Sequence, residues 1–165
     1  MDTATSVIAP RAPRHRVDPR ALRWWTVRAL LGVVVVLVPQ AVALLLVREG
    51  PLLASTSATA VIGAAYVVVM PRWRYRVHRW EADEHAVYAL AGWLSLEWRV
   101  APISRIQTID TQRSALQRLF RLATVTVTTA SAAGPVRIEG LDADAAAELA
   151  HRLTEITAAA PGDAT

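Results

Sequence analysis

The sequence contains no cysteine, which excludes disulfide bonds, zinc–thiolate sites, iron–sulfur clusters and a thiol nucleophile. Lysine is absent too, so all 18 of the Lys and Arg positions are arginine. The chain also lacks a glycine-rich phosphate loop, the G-x-S-x-G turn of hydrolases and the H-E-x-x-H helix of metalloproteases. We therefore predict a protein that is not an enzyme and that has no catalytic residue, metal site or cofactor.

Two long apolar stretches, residues 29–47 and 52–70, contain no Asp, Glu, Arg or His. As a helix, each would span about 28 Å, which is close to the thickness of the hydrocarbon core of a bilayer. A connector of four residues, 48–51, separates them. The sequence predicts a transmembrane helical hairpin over residues 21–71, with helices at about 26–47 and 52–70. A cleaved signal peptide is the alternative, but the second apolar stretch follows at once.

Arginines flank the outer ends of both stretches, whereas the connector carries one Arg and one Glu. Because basic residues concentrate in cytoplasmic segments, both termini are predicted to be cytoplasmic. Aromatic rings anchor helices at the membrane surface, and arginine attracts anionic lipid headgroups. The predicted aromatic anchors are Trp24, Trp25, Trp73 and Tyr75. The predicted lipid-facing arginines are Arg23, Arg28, Arg72, Arg74 and Arg76.

Small residues recur every four positions in the second apolar stretch, at Ser55, Thr59 and Gly63. Such spacing lets two helix backbones approach closely. We expect this face to pack on the first helix of the hairpin, with a dimer or a partner protein as the alternative occupant.

The remainder of the chain is predicted to be mainly β. Apolar and polar residues alternate from Trp73 onward, which predicts a strand with a basic face directly after the second helix. Further alternating runs give about six or seven antiparallel strands, and Asp142 is a candidate N-cap for one C-terminal helix. This order is typical of a pleckstrin-homology (PH)-like barrel, predicted over residues 72–158. Residues 1–20 are predicted to be a disordered cytoplasmic arm and residues 159–165 a disordered tail.

Two motifs carry a family resemblance, Pro-Ile-Ser-Arg-Ile-Gln at 102–107 and Leu-Gln-Arg-Leu-Phe at 116–120. Together with Ile-Glu-Gly at 138–140, they resemble the bacterial PH family of YdbS-like membrane proteins, which also places a membrane hairpin before its domain. The positions that match the motifs are Pro102, Ile103, Arg105, Ile106, Gln117, Arg118, Leu119, Phe120 and Gly140. Two departures concern local turns: Ser114-Ala115 stands where the family commonly has Gly-Pro, and Arg121 where it commonly has Gly.

The resemblance implies a fold and a setting in the bacterial cell membrane rather than an activity. We predict a multi-pass protein whose PH-like domain is a non-enzymatic interaction module at the cytoplasmic face. Its expected partners are another membrane protein or a second copy, together with anionic lipid bound nonspecifically. The alternative is an accessory subunit of a transporter or export or stress-resistance system in which the hairpin is the working part. Because the arginines concentrate at the membrane flanks, nucleic acid is not expected to bind.

Overall fold

The structure is a computed structural model that describes residues 12–130 and 134–159. Two antiparallel helices dominate it, α1 (Arg20–Val47) and α2 (Gly50–Val77), each of 28 residues. Each is about 40 Å long, so both helices extend beyond their apolar stretches at the end where the chain enters and leaves the hairpin. Both are long and apolar enough to cross a membrane, and almost none of the residues in their most apolar segments are buried. The exposed apolar surface is the surface that lipid would cover.

The hairpin turn is tight, and the two helices approach closely at Gly63. Arg48 closes α1 in a left-handed conformation (φ 54°), with its N–H donated to the Leu44 carbonyl at 3.0 Å. Gly63 lies against Val33 so closely that an added Cβ would be 2.6 Å from Cγ1 of Val33. The hydroxyl of Thr59 donates to the carbonyl of Ser55 within α2. Of the three small residues, Gly63 therefore packs within the chain as expected, whereas Ser55 is exposed.

The predicted strand at residues 72–78 is wrong, because α2 continues through Pro71 to Val77. Arg74 and His78 are four residues apart, so they lie on the same side of the helix, and both contact the ring of Trp25. Packing of this face on α1 therefore overrides the alternating pattern that favours a strand.

The first sheet has four antiparallel strands in chain order. They are β1 (His15–Arg16), β2 (Arg79–Ala82), β3 (Ala86–Gly92) and β4 (Leu96–Pro102). β1 belongs to residues 12–19, here called the N-terminal arm, and it pairs with β2 by placing His15 opposite Trp80. The predicted disorder is thus wrong for residues 12–20, because these residues add a strand to the sheet. Residues 1–11 lie outside the described part of the chain.

The second sheet has three antiparallel strands and is followed by the C-terminal helix. Its elements are β5 (Ile106–Gln112), β6 (Leu122–Thr129), β7 (Val136–Asp142) and α4 (Ala143–Ala159), with a 3-10 turn at Ile103–Arg105 and a short helix α3 (Ala115–Leu119). The register of β5 shifts between Ile106 and Thr108, which marks a β-bulge or irregularity in its pairing with β6. Asp142 caps α4 as predicted, since its Oδ1 accepts the backbone N–H of Asp144 at 2.9 Å. The predicted tail falls mostly on residues 160–165, outside the described part.

The main core lies between the two sheets and α4. Its largest fully buried side chains come from β3, β6, β7 and α4, and include Val87, Val125, Val127, Ile138 and Leu153. The predicted fold class is confirmed: a two-helix hairpin is followed by a mainly-β, PH-like domain with one C-terminal helix, and the described strands number seven.

Candidate functional site

The hairpin and the domain meet at a second hydrophobic cluster, here called the junction core, formed by Val17, Ala21, Trp24, Trp25 and Leu122. Trp24 is 4% exposed and Trp25 is 0% exposed. The prediction that these two rings anchor the chain in the lipid interface is therefore wrong. The domain folds back onto this face of α1, so the rings are buried by protein rather than by lipid.

Polar contacts surround the ring of Trp25. The guanidinium carbon of Arg74 lies 4.9 Å from the ring centroid, within the range of a cation–π interaction. The same guanidinium binds Glu139 of β7, with Nη2 2.9 Å from Oε2. His78 meets the ring edge-on at 5.2 Å. Burial, with a contribution from Arg74, lowers the pKa of His78 to about 4, so its imidazole adds no charge here at neutral pH.

The N-terminal arm closes the junction from the other side. The N–H of Asp18 donates to the carbonyl of Gly140 at 3.0 Å, and Arg20 pairs with both Asp18 and Asp142. Gly140 has φ +79°, and a Cβ at this position would lie 2.7 Å from Cβ of Ala21. Only glycine gives α1 this close approach to β7 without strain.

These contacts restrict how the hairpin can sit in a membrane. The N-terminal arm precedes α1 and the domain follows α2, yet β1 pairs with β2 and Arg20 with Asp142. If both helices cross a bilayer, the arm and the domain must lie on the same side of it.

Two pockets open at the junction, and Arg28 lines both of them. The hairpin cleft, about 450 Å³ between α1 and α2, has Arg28 and Arg74 among its lining residues. The basic pocket, about 620 Å³ between α1 and the second sheet, adds Arg113, Arg137 and Glu139. Among the described residues that line the two pockets, four arginines thus face one glutamate. This excess of positive charge suits an anionic ligand.

The predicted lipid-facing arginines are distributed over both helices rather than along one strand. Arg23, Arg28, Arg72 and Arg76 are exposed, whereas Arg74 is turned inward to Trp25 and Glu139. Of the predicted aromatic anchors on α2, Trp73 is exposed and Tyr75 is partly buried against the junction core.

An aromatic contact that the sequence analysis missed lies farther along α2. Trp93, in the turn between β3 and β4, meets Tyr66 edge-on with 6.0 Å between ring centroids. The available signal was a tryptophan directly after a strand-breaking glycine, in a segment without charge.

The motif residues position short elements and do not line one pocket together. Ile103 is buried in the 3-10 turn between Pro102 and Ile106, and the carbonyl of Arg105 accepts the N–H of Ala130. Phe120 packs on the junction core.

Gln117 is the motif residue with the largest polar role. It is buried, and its side-chain amide donates to Oγ1 of Thr124 at 2.7 Å. Its Oε1 also accepts the N–H of Ser114, while Oγ of Ser114 accepts the N–H of Gln117. This reciprocal pair is a capping box that starts α3. Arg118 and Leu119 of the same helix are exposed.

The family model described as "Bacterial PH domain" matches residues 27–157. The chain belongs to this family. The match begins in α1 and ends in α4, so it includes the hairpin as well as the bacterial PH domain itself. The chain is also similar to a curated protein of Bacillus subtilis (strain 168), "UPF0699 transmembrane protein YdbS". The two are 27% identical over 155 residues, which is 88% of this chain and 95% of the relative. No solved structure matches significantly.

The predicted YdbS-like family is thus confirmed. A chain of this family with two candidate spans is a PH-domain membrane protein. Within residues 12–130 and 134–159, no group of three His, Asp or Glu side chains is placed to hold a metal ion.

Proposed function

We propose that this protein is a non-enzymatic, membrane-anchored PH-like module that lies against anionic lipid at the cytoplasmic face and binds another membrane protein or a second copy. The observation that carries the proposal is the junction core. Because Trp24 and Trp25 are buried between α1 and the domain, the domain is a rigid extension of the hairpin rather than a tethered head. Its surfaces are held at one height and one angle beside the membrane.

The charge of the junction supports the lipid contact. The pocket-lining arginines outnumber their one carboxylate, and that carboxylate already binds Arg74. The exposed Arg28 lies one residue before the apolar stretch of α1, which is the height expected for lipid phosphates. A basic side chain near an anionic leaflet contributes about 1 kcal/mol of attraction.

Replacing Arg28 with glutamine is expected to lower the preference of the protein for anionic lipid. The measurement is the fraction of motionally restricted lipid around the protein in vesicles, by electron spin resonance with labelled phosphatidylglycerol and phosphatidylcholine. The loss of about 1 kcal/mol corresponds to a selectivity about fivefold lower. Raising the salt concentration should also weaken the selectivity of the parent protein, because exposed charges are screened.

Arg152→Gln is the matched control, since it removes the same charge from an exposed position on α4, beside Glu84 and His85 rather than beside an apolar stretch. It should leave the selectivity unchanged if the arginine-rich end meets the anionic leaflet. Equal losses in the two variants, or no loss with Arg28→Gln, would contradict the lipid contact.

The edge of the first sheet supports the partner contact. β4 is the last strand of that sheet as described, and its Leu96 and Val100 are exposed. An exposed strand edge with apolar side chains accepts an added strand from another chain.

The chain lacks cysteine, so Val100→Cys can carry a single photo-crosslinker in intact membranes. Mass spectrometry should then find one defined crosslinked partner or a crosslinked dimer. The same crosslinker at His85→Cys, the control, should give no crosslinked product. If Val100→Cys yields monomer alone, the result counts against partner binding.

A further inference from the structure

The turn between β3 and β4 projects apolar side chains away from the domain. Leu94, at its tip, is 87% exposed. Gly92 has φ +145°, and a Cβ at this position would lie 1.9 Å from the carbonyl oxygen of Ser95. The turn therefore needs glycine to be this tight. Because the turn is tight, Trp93 and Leu94 lie at the very end of the β3–β4 strand pair.

The position of the turn is fixed by α2. The Trp93 ring contacts Tyr66, which lies four residues before the end of the apolar stretch, about 6 Å along the helix axis. Tyr66 and Arg28 line the same cleft between the helices. The tip of the turn is therefore at the height where the basic flank of α1 gives way to its apolar stretch.

The distribution of charged residues at the two ends of β3 agrees with a turn that lies beside the membrane helices. Residues 90–96, at the tip, carry no charged side chain, whereas Asp83, Glu84 and His85 stand at the opposite end of the strand. A strand of seven residues separates the two ends by about 20 Å. One end of the β3–β4 pair is thus apolar and beside the membrane helices, and the other is charged and remote from them.

We infer that the β3–β4 turn is a third membrane contact, in which Trp93 lies in the headgroup region and Leu94 enters the acyl region of the same leaflet. The occupant of this exposed apolar surface is the bilayer. Tryptophan is enriched at this depth because its ring is amphipathic. The inference rests on the proposed function, in that the hairpin must cross the membrane with the domain at its arginine-flanked end.

Spin labels on single cysteines test the inference, since the natural chain has none. The full chain is reconstituted in vesicles of phosphatidylethanolamine and phosphatidylglycerol with a nitroxide at Leu94→Cys. His85→Cys is the control, because the side chain of His85 is 88% exposed and His85 directly precedes β3, at the end opposite the turn. Val61→Cys, on the exposed face of α2, reports whether the hairpin crosses the bilayer. The measurement is accessibility to oxygen, which concentrates in lipid, relative to a water-soluble nickel chelate.

The expected ratio of oxygen to nickel accessibility at position 94 is several-fold higher than at position 85 and approaches that at position 61. A ratio at 94 equal to that at 85, with 61 still in lipid, would overturn the inference and leave the proposed function intact. Low accessibility to both reagents at 94 would show that protein covers the tip, and would overturn it as well. An aqueous signal at 61 would defeat both the inference and the proposed membrane anchorage.

Discussion

Replacing Trp25 with alanine is expected to lower the free energy of unfolding by about 3–5 kcal/mol, the usual cost of removing a buried aromatic ring from a packed core. The ring is 0% exposed and lies at the centre of the junction core. Its loss would also leave the Arg74 guanidinium and the His78 imidazole without their aromatic neighbour. Denaturant unfolding in detergent micelles, followed by circular dichroism, measures the change.

Trp73→Ala is the matched control, since it removes the same side chain from the other helix at a position that is 49% exposed. Because exposed substitutions usually change stability by no more than about 0.5 kcal/mol, this variant should unfold almost as the parent does. Equal losses for the two tryptophans would show that the domain is not seated on α1.

Replacing Gly140 with alanine is expected to destabilise the junction by about 2–5 kcal/mol. A left-handed conformation costs a residue with a Cβ about 1–2 kcal/mol, and overpacking costs about 1–3 kcal/mol more. The new Cβ would lie 2.7 Å from Cβ of Ala21, so β7 and α1 would have to separate. The N-terminal arm should then detach, because Asp18 donates to the Gly140 carbonyl. Faster trypsin cleavage after Arg16 measures that detachment.

Gly134→Ala separates the two contributions in Gly140→Ala. Gly134 has nearly the same backbone angle, φ +80°, but the nearest atom to its added Cβ is the side-chain Nη1 of Arg99 at 3.3 Å. This variant should carry the conformational cost alone and leave trypsin cleavage after Arg16 unchanged. If both variants accelerate cleavage equally, the contact between Gly140 and Ala21 does not hold the arm.

Sequence patterns correctly predicted those helices and caps that are determined by residues close together in the chain. The hairpin follows from two uncharged stretches, and Asp142 caps α4 within its own segment. The junction has no local signal, because Trp25 and Gly140 come from opposite ends of the chain. At 72–78 the alternating pattern favours a strand, but α2 continues there as a helix whose Arg74 and His78 contact Trp25, a partner distant in the sequence.

The structure explains how the chain accommodates its two departures from the family motif. Arg121, where the family commonly has Gly, adopts φ 54°, a left-handed conformation that glycine reaches without strain. Ser114, in place of the family's Gly, supplies the side chain that caps α3. The sequence could identify both positions as turns, but their geometry depends on backbone angles that no single sequence pattern specifies.

The pairing of Arg20 with Asp142 joins residues that are 122 positions apart, and so it dictates an order of assembly. Synthesis at 5–20 residues per second delivers Asp142 about 6 to 24 s after Arg20. Late in that interval the hairpin is already made, whereas β7, which supplies Glu139 and Gly140 to the junction, is not. A ribosome that stalls before β7 therefore leaves Asp18 without the Gly140 carbonyl and Arg20 without Asp142, so the junction can close only after β7 has been made.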